Sequence, residues 1–369
     1  MKIALVHDYL NQYGGAERVL QEFLKIFPDA HLYTIFYSHK QLNGLFAPYI
    51  KKTSFLDFEL ARSRHRFFIP LMPAAVKNLK LKEAYDLVIS GTAGFGKGID
   101  ANGAFHLSYC HTPLRYAWEA DSYFENPFFK FISKPAFRYL RHWDFKAAQA
   151  SNLILANSSF IAGKIKLYYK RDAEVVYPPV DQKKFYRDRN FKPRNAGPYY
   201  LAVGRLLRYK KFDLAIEAFS KLGLRLKIVG QGPEEKRLKA LAAGFPNIEF
   251  LSFVSDEELR KLYQGAAALI FPQVEDFGLT AAEAQACGAP VVAFAAGGAL
   301  EIVKDGITGV LFNEPTAAGL ISAVERFQKL DLNSRAISKS ASRFSSERFA
   351  EKIISFLPPK LSNLTKLAA

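Results

Sequence analysis

Cysteine is close to absent from this chain. The only two, Cys110 and Cys287, sit in no CxxC pair and in no Cys/His cluster at metal-ligand spacing. That excludes a disulfide framework and a zinc site, and it points to a reducing cytoplasm. Long apolar runs are missing as well. The longest uncharged stretch, 284–300, contains Pro290 and several glycines, so it does not read as a membrane-crossing helix of about 20 apolar residues. The first apolar run, Ile3–Val6, gives way at once to His7 and Asp8. It is too short for a signal-peptide core, and nothing marks the chain for export. No D-x-D motif, short-period repeat or low-complexity tract occurs.

What is present is a globular composition. The 369 residues are 49% hydrophobic and 23% charged, which predicts two packed cores and excludes a disordered chain. Acids number 35 against 51 Lys and Arg, for a formal net charge of +16. An anionic membrane, a phosphorylated substrate or nucleic acid would suit that charge. Between Lys51 and Lys82, eight Lys/Arg stand against two acids and are interleaved with Phe67-Phe68-Ile69-Pro70-Leu71; a second basic-aromatic stretch runs from Phe128 to Trp143. Cations beside rings fit a lipid headgroup interface, and equally a solvated helix face over core aromatics. No helix-turn-helix, zinc-finger or RNP-type motif accompanies the charge, so no nucleic-acid partner is expected.

Short apolar runs alternate with amphipathic segments, the signature of parallel sheets covered by helices. The first half offers strands at Lys2–Val6, His31–Ile35, Tyr85–Ser90, Phe105–Cys110 and Asn152–Ala156. A second series offers Tyr200–Val203, Leu226–Val229, Ile248–Phe250, Ala268–Phe271 and Pro290–Phe294. Between them lie Tyr177-Pro178-Pro179-Val180 and a polar stretch from Gln182 to Asn195. The expected fold is therefore α/β, two doubly wound, Rossmann-like domains with the boundary near residue 180.

Glycine turns mark the candidate sites. Gly14-Gly15 follows the first strand and opens a helix with apolar residues at 19, 20, 23 and 24; free N–H groups there suit a phosphate or sugar oxygen. Gly91-Thr92-Ala93-Gly94-Phe95-Gly96-Lys97-Gly98 comes close to a P-loop. It lacks the hydroxyl after the Lys and the following helix, and so is not read as one. Gly230-Gln231-Gly232 fails the dinucleotide pattern at Glu235 and is expected as a turn beside a ligand crevice. More informative is the segment from Phe271 to Ala293, where a strand ends, a loop carries Glu275, and Gly278 opens a helix bearing Glu283. Two carboxylates eight positions apart, with the Gly278 and Leu279 N–H groups between them, fit a ligand bearing hydroxyls and phosphate. Upstream, Arg205 and Lys210 leave the carboxyl end of another strand, where they are placed to neutralise a diphosphate.

Together these residues resemble the retaining family 4 glycosyltransferases of the GT-B fold, over nearly the whole chain. The segment EDFGLTAAEAQACGAPVV matches the family's E-x7-E element, and GRLLRYKKFD resembles its GR-L-x3-K-G-x-D element, with Lys211 in place of Gly. GGAER resembles its glycine loop, and Ser108–Glu119 its H-x-P segment, in the form of bacterial mannosyltransferase-like members.

The resemblance implies two domains, 1–180 on the acceptor side and 181–344 binding the nucleotide sugar, facing across a cleft, with 345–369 crossing back to the first. It implies a metal-independent hexosyltransferase without cofactor, in which Arg205 and Lys210 stabilise the leaving nucleoside diphosphate. Glu283 would bind ribose, Glu275 the transferred sugar, the Phe277–Leu279 backbone sugar hydroxyls and phosphate, and His111 would hydrogen-bond the sugar. Gly14 and Gly15 join the donor-binding set. GDP-mannose is the donor the resemblance favours, and a lipid-linked saccharide the acceptor. The setting would be surface polysaccharide or glycolipid assembly, by an enzyme peripheral on the inner membrane face. The alternatives are a nucleotide-sugar sensor or an epimerase on the same fold.

Overall fold

The computed structural model describes residues 1–119, 127–191 and 197–361, with side chains in the helix Pro127–Gln149 from residue 134 on. Outside the described residues lie 192–195 of the polar stretch, 362–369 of the tail, and the side chains at 128–133 of the second basic-aromatic stretch. The chain forms two compact units, one of Met1–Tyr177 with the chain from Phe349 on, the other of Pro178–Arg348.

Among the described residues, the first unit holds seven parallel strands: β1 (Ile3–His7), β2 (His31–Thr34), β3 (Ile50–Thr53), β4 (Leu87–Thr92), β5 (Phe105–Cys110), β6 (Leu153–Ala156) and β7 (Glu174–Val175). Their order is β3-β2-β1-β4-β5-β6-β7. Alternate residues of β1 feed opposite cores. Ile3 and Leu5 pack with Val19, Leu20 and Phe23 of the helix Gly15–Ile26, while Ala4 and Val6 pack with Val76 and Val88. Burial on both faces turns such a strand into a continuous apolar run, which is why it is legible in the sequence.

The second unit holds β8 (Tyr199–Val203), β9 (Leu226–Val229), β10 (Ile248–Leu251), β11 (Ala266–Phe271), β12 (Val291–Phe294) and β13 (Gly309–Phe312), in the order β10-β9-β8-β11-β12-β13. Ala202, Ile228, Ile270 and Val292 build its core against Phe212 and Phe219 of the helix Phe212–Leu222. Three strands had no counterpart in the sequence reading: β3, β7 and β13. Each lies at the edge of its sheet. An edge strand needs no two-sided apolar run, and Ile-Lys-Lys-Thr or a two-residue Glu-Val carries none.

Both sheets reverse their winding direction once, between β1 and β4 and between β8 and β11. Ligands of open parallel sheets bind outside the carboxyl ends of the strands at such switch points. The tail reaches the first core through the helix Ser346–Ser355. The ring of Phe349 meets Phe23 at 5.3 Å and Tyr109 at 5.7 Å.

Candidate functional site

At the switch point of the second sheet, β8 ends at Val203. Arg205 is exposed just beyond it, and Lys210 closes a short turn before the helix Phe212–Leu222. The Lys210 side chain folds back over the strand end. Its ammonium lies 3.9 Å from where a Cβ on Gly204 would stand, and it pairs with Glu275 in the loop after β11. The cation and carboxylate flanking the switch point therefore meet, with side chains only 13% and 18% exposed. Glu283 is held differently. It lies inside the helix Leu279–Ala286, buried, and accepts the Tyr263 hydroxyl at 3.4 Å. Burial, then the Glu283 charge, pushes the Cys287 thiol well up.

Gly278 makes the turn from loop to helix possible. Its φ is +104°, and a Cβ there would stand 2.9 Å from the Phe271 ring. The first N–H groups of the helix, beginning with Leu279, come ahead of its internal bonds and face the loop end. Phe277 anchors the loop from below, edge-on to Phe344 at 5.3 Å. The Gly298 N–H holds the Glu275 carbonyl at 2.9 Å. Sequence reasoning missed this clamp, although Gly297-Gly298 soon after β12 was the available signal. Gly230 and Gly232 answer to packing: Cβ atoms there would stand 1.9 Å from the Gly204 carbonyl oxygen and 2.4 Å from that of Leu206.

At the switch point of the first sheet the glycine loop departs from expectation. The helix does start at Gly15, but the Gly14 N–H is not free, because it donates to the Glu17 carboxylate at 2.7 Å. The other Glu17 oxygen faces His7 Nε2 at 3.4 Å. Burial pushes the Glu17 carboxyl up, but the His7 contact and charge, with the Glu17 and Gly14 N–H groups, outweigh it and hold the pKa below the usual range. His111 follows β5. Its N–H donates to the Thr92 carbonyl at 2.8 Å, its carbonyl accepts from Asn157 Nδ2 at 3.0 Å, and its ring packs on Tyr109. Burial, then the charge of His7, holds its pKa at about 4 against the opposing pull of Asp8 and Glu17. The imidazole is neutral at pH 7.

The segment resembling a P-loop is filled from within. Asp8, which the sequence reading passed over, accepts the N–H groups of Ala93 (2.7 Å), Phe95 (2.9 Å) and Gly96 (2.5 Å) and the Thr92 hydroxyl (3.1 Å). Lys97 is buried and pairs at 2.5 Å with Asp144, which also receives Trp118 Nε1 and the Tyr169 hydroxyl at 2.7 Å each. Both the anion nest and its lysine are thus occupied by the chain's own groups. Among the described residues, no group of three or more His, Cys, Asp or Glu side chains is arranged to hold a metal ion. In the first basic stretch, Lys51 pairs with Glu83 and Arg62 with Asp57, while Phe58, Leu60, Phe67 and Leu71 are exposed. Trp143 of the second stretch is packed on Phe95.

Known proteins match this chain in two consecutive blocks. Residues 13–184 match the family described as Glycosyltransferase Family 4, and residues 184–344 that described as Glycosyl transferases group 1. Across residues 13–344 the chain is a family 4-like glycosyltransferase. A D-inositol 3-phosphate glycosyltransferase of Geodermatophilus obscurus is 34% identical over 235 residues, 56% of this chain and 52% of that one. An uncharacterised glycosyltransferase of Methanocaldococcus jannaschii is 29% identical over 45% of this chain and 46% of its own length. The chain thus spans about half the length of these two curated relatives. Among solved structures, HepE of Anabaena in complex with UDP superimposes with a TM-score of 0.71 at 19% identity, covering 96% of this chain and 99% of that one. The fold is that of the GT-B glycosyltransferases. Lys211, where the family 4 pattern has Gly, adopts the left-handed φ of +55°, so the backbone keeps the glycine conformation without the glycine.

Proposed function

We propose that this chain is a retaining hexosyltransferase that takes its sugar from a nucleoside diphosphate donor bound at the β8/β11 switch point. The observation that carries the reading is the Lys210–Glu275 pair at that strand edge, beside exposed Arg205 and the helix beginning at Leu279. In this reading the diphosphate takes the Lys210 ammonium from Glu275 and draws in Arg205, as a divalent ion would otherwise do. Glu275 is freed to accept a sugar hydroxyl, Glu283 takes the ribose, and the Phe277–Leu279 backbone holds sugar hydroxyls and phosphate. His111 hydrogen-bonds the sugar. The C1–phosphate bond breaks as the acceptor oxygen bonds C1 on the same face, and the departing phosphate oxygen accepts the acceptor's proton. No metal and no cofactor take part in this scheme.

GDP-mannose is the donor we favour, on the form of the Ser108–Glu119 segment. A uridine donor is the second reading, supported by the HepE structures with UDP and with UDP-glucose. The acceptor we propose is a lipid-linked saccharide in surface polysaccharide or glycolipid assembly. Peripheral attachment to the cytoplasmic face of a membrane is supported by Phe58, Leu60, Phe67 and Leu71, exposed among lysines and arginines. Among the described residues no helix is long and apolar enough to cross a membrane.

The deciding experiment is thermal shift against GDP, UDP, ADP and CMP with chelator present. A ligand at 100 times its dissociation constant adds about 2.7 kcal/mol, readily seen as a raised midpoint. One diphosphate should respond selectively, and Arg205→Ala or Lys210→Ala should each lose about 1.5–3 kcal/mol of diphosphate binding. Silence towards all four nucleotides would overturn the assignment. Attachment is checked by flotation with phosphatidylglycerol vesicles at low salt, where the protein should float and added salt should release it; recovery at the bottom under both conditions sinks the membrane reading.

A further inference from the structure

Glu283 is a buried carboxylate in a helix whose other side chains offer it little. Ala281, Ala282, Ala284 and Ala286 around it are buried and carry no polar group. A donor reaches it from another element, the helix Asp256–Gly265, whose Tyr263 hydroxyl lies 3.4 Å from Glu283 Oε2. Tyr263 is fully buried, and the Phe185 ring stands edge-on to it at 6.1 Å. Both residues beside it in the chain are tied down. The Leu262 carbonyl accepts the Tyr199 hydroxyl at 2.8 Å, and the Gln264 side-chain oxygen accepts the Asp188 N–H at 2.7 Å. A Cβ on Gly265 would stand 2.8 Å from the Tyr199 hydroxyl, so the glycine makes room for the group that holds Leu262. The far end of the helix is fixed by the capping box of Ser255 with Glu258 and by Lys184, which pairs with Asp256 at 2.7 Å.

A glutamate side chain turns about three bonds, and ordering it when a ligand arrives opposes affinity. A buried donor already aimed at one of its oxygens removes part of that opposition, provided the donor is itself held in place. Tyr263 meets both conditions: its hydroxyl faces the carboxylate, and its ring, its chain neighbours and its helix are all fixed. Because a carboxylate only accepts, the Tyr263 proton is directed at Glu283. We propose that Tyr263 is a positioning residue of the donor site, which sets the Glu283 carboxylate to receive the ribose hydroxyls of the nucleoside diphosphate. Tyr263 touches no substrate in this scheme and acts through Glu283. Its support reaches back to Phe185 and Asp188, near the start of the second unit. The inference rests on the donor reading above and adds Tyr263 to it. The selectivity it creates is for ribose over deoxyribose, since a sugar without the hydroxyl gains nothing from a carboxylate already in place.

The test is calorimetric titration of the whole chain, as parent and as Tyr263→Phe, with GDP and UDP and with the 2′-deoxy and 3′-deoxy forms of each. The parent should bind its preferred diphosphate more tightly than a deoxy form by about tenfold, the scale of one hydrogen bond to a charged group. Tyr263→Phe keeps the ring and removes only the hydroxyl. It should weaken the ribonucleotide by a factor of similar size and leave that deoxy form unchanged, so that the preference for ribose disappears. A purely structural tyrosine would weaken all forms by a common factor. That result, or a Tyr263→Phe chain that prefers ribose as strongly as the parent does, overturns the role of Tyr263. A parent that binds diphosphate without distinguishing ribose from deoxyribose overturns the ribose role of Glu283, and the proposal with it. Silence towards every nucleotide overturns the donor site itself, so the three failures are told apart.

Discussion

Single side chains here do work that their position in the motif does not announce. Asp8 stands one residue past the end of β1, yet it collects three backbone N–H groups and a hydroxyl, each charge-assisted bond worth about 1.5–3 kcal/mol. His106 is buried and His111 half-buried, and in both burial of the ring is the main cause of a pKa near 4. An unfolded histidine titrates near 6.5. Between pH 6.5 and 4 the unfolded chain therefore binds protons that the folded chain refuses, and stability falls as pH drops through that window. Glu17, with its folded pKa lowered, loses its contribution further down, as pH falls below the usual carboxylate range. We expect the unfolding free energy of the first unit, read from urea titrations, to decline from pH 6.5 to pH 4 by roughly 1 kcal/mol per pH unit for each histidine, and the midpoint to fall with it. His106→Gln should remove about half of the slope, and a flat midpoint across the window would contradict the burial argument.

At the scale of elements, strands buried on both faces, such as β1 and β11, are legible in the sequence because their apolar runs have no alternation to lose. The edge strand β3 escaped notice because its Lys51 and Lys52 look like part of a basic surface. Those lysines protect an open edge from pairing with another chain. Replacing both by Val should leave the fold intact and produce dimers or larger species in size-exclusion chromatography; a monomer at high concentration would show that the edge is guarded otherwise. The site divides along similar lines. Glu275, Glu283, Arg205 and Lys210 were legible because loops after parallel strands and helix starts are recognisable by type. His7 and Glu17 were not, because the contact between them joins a strand end to a helix turn ten residues on, and neither residue has a distinctive spacing.

Over the whole molecule, each unit has its own apolar core, and the first is completed by the far end of the chain. Phe349, Ile353, Leu357 and Leu361 are buried in it, and burying side chains of this size contributes about 1.5–3 kcal/mol apiece. Ending the chain at Arg348 should therefore lower the calorimetric transition of the first unit while that of the second stays in place; two unchanged transitions would show the tail to be dispensable. The sequence by itself determined the two sheets, the break near residue 180 and the residue types at the second switch point, since burial periodicity and turn chemistry are local properties. Tertiary structure alone decided that Lys210 meets Glu275 and that Asp8 fills the near P-loop. It alone brought the Tyr263 hydroxyl to Glu283, because parallel strands and the helices that cover them place side by side residues that are far apart along the chain, and no local pattern records which element lies beside which.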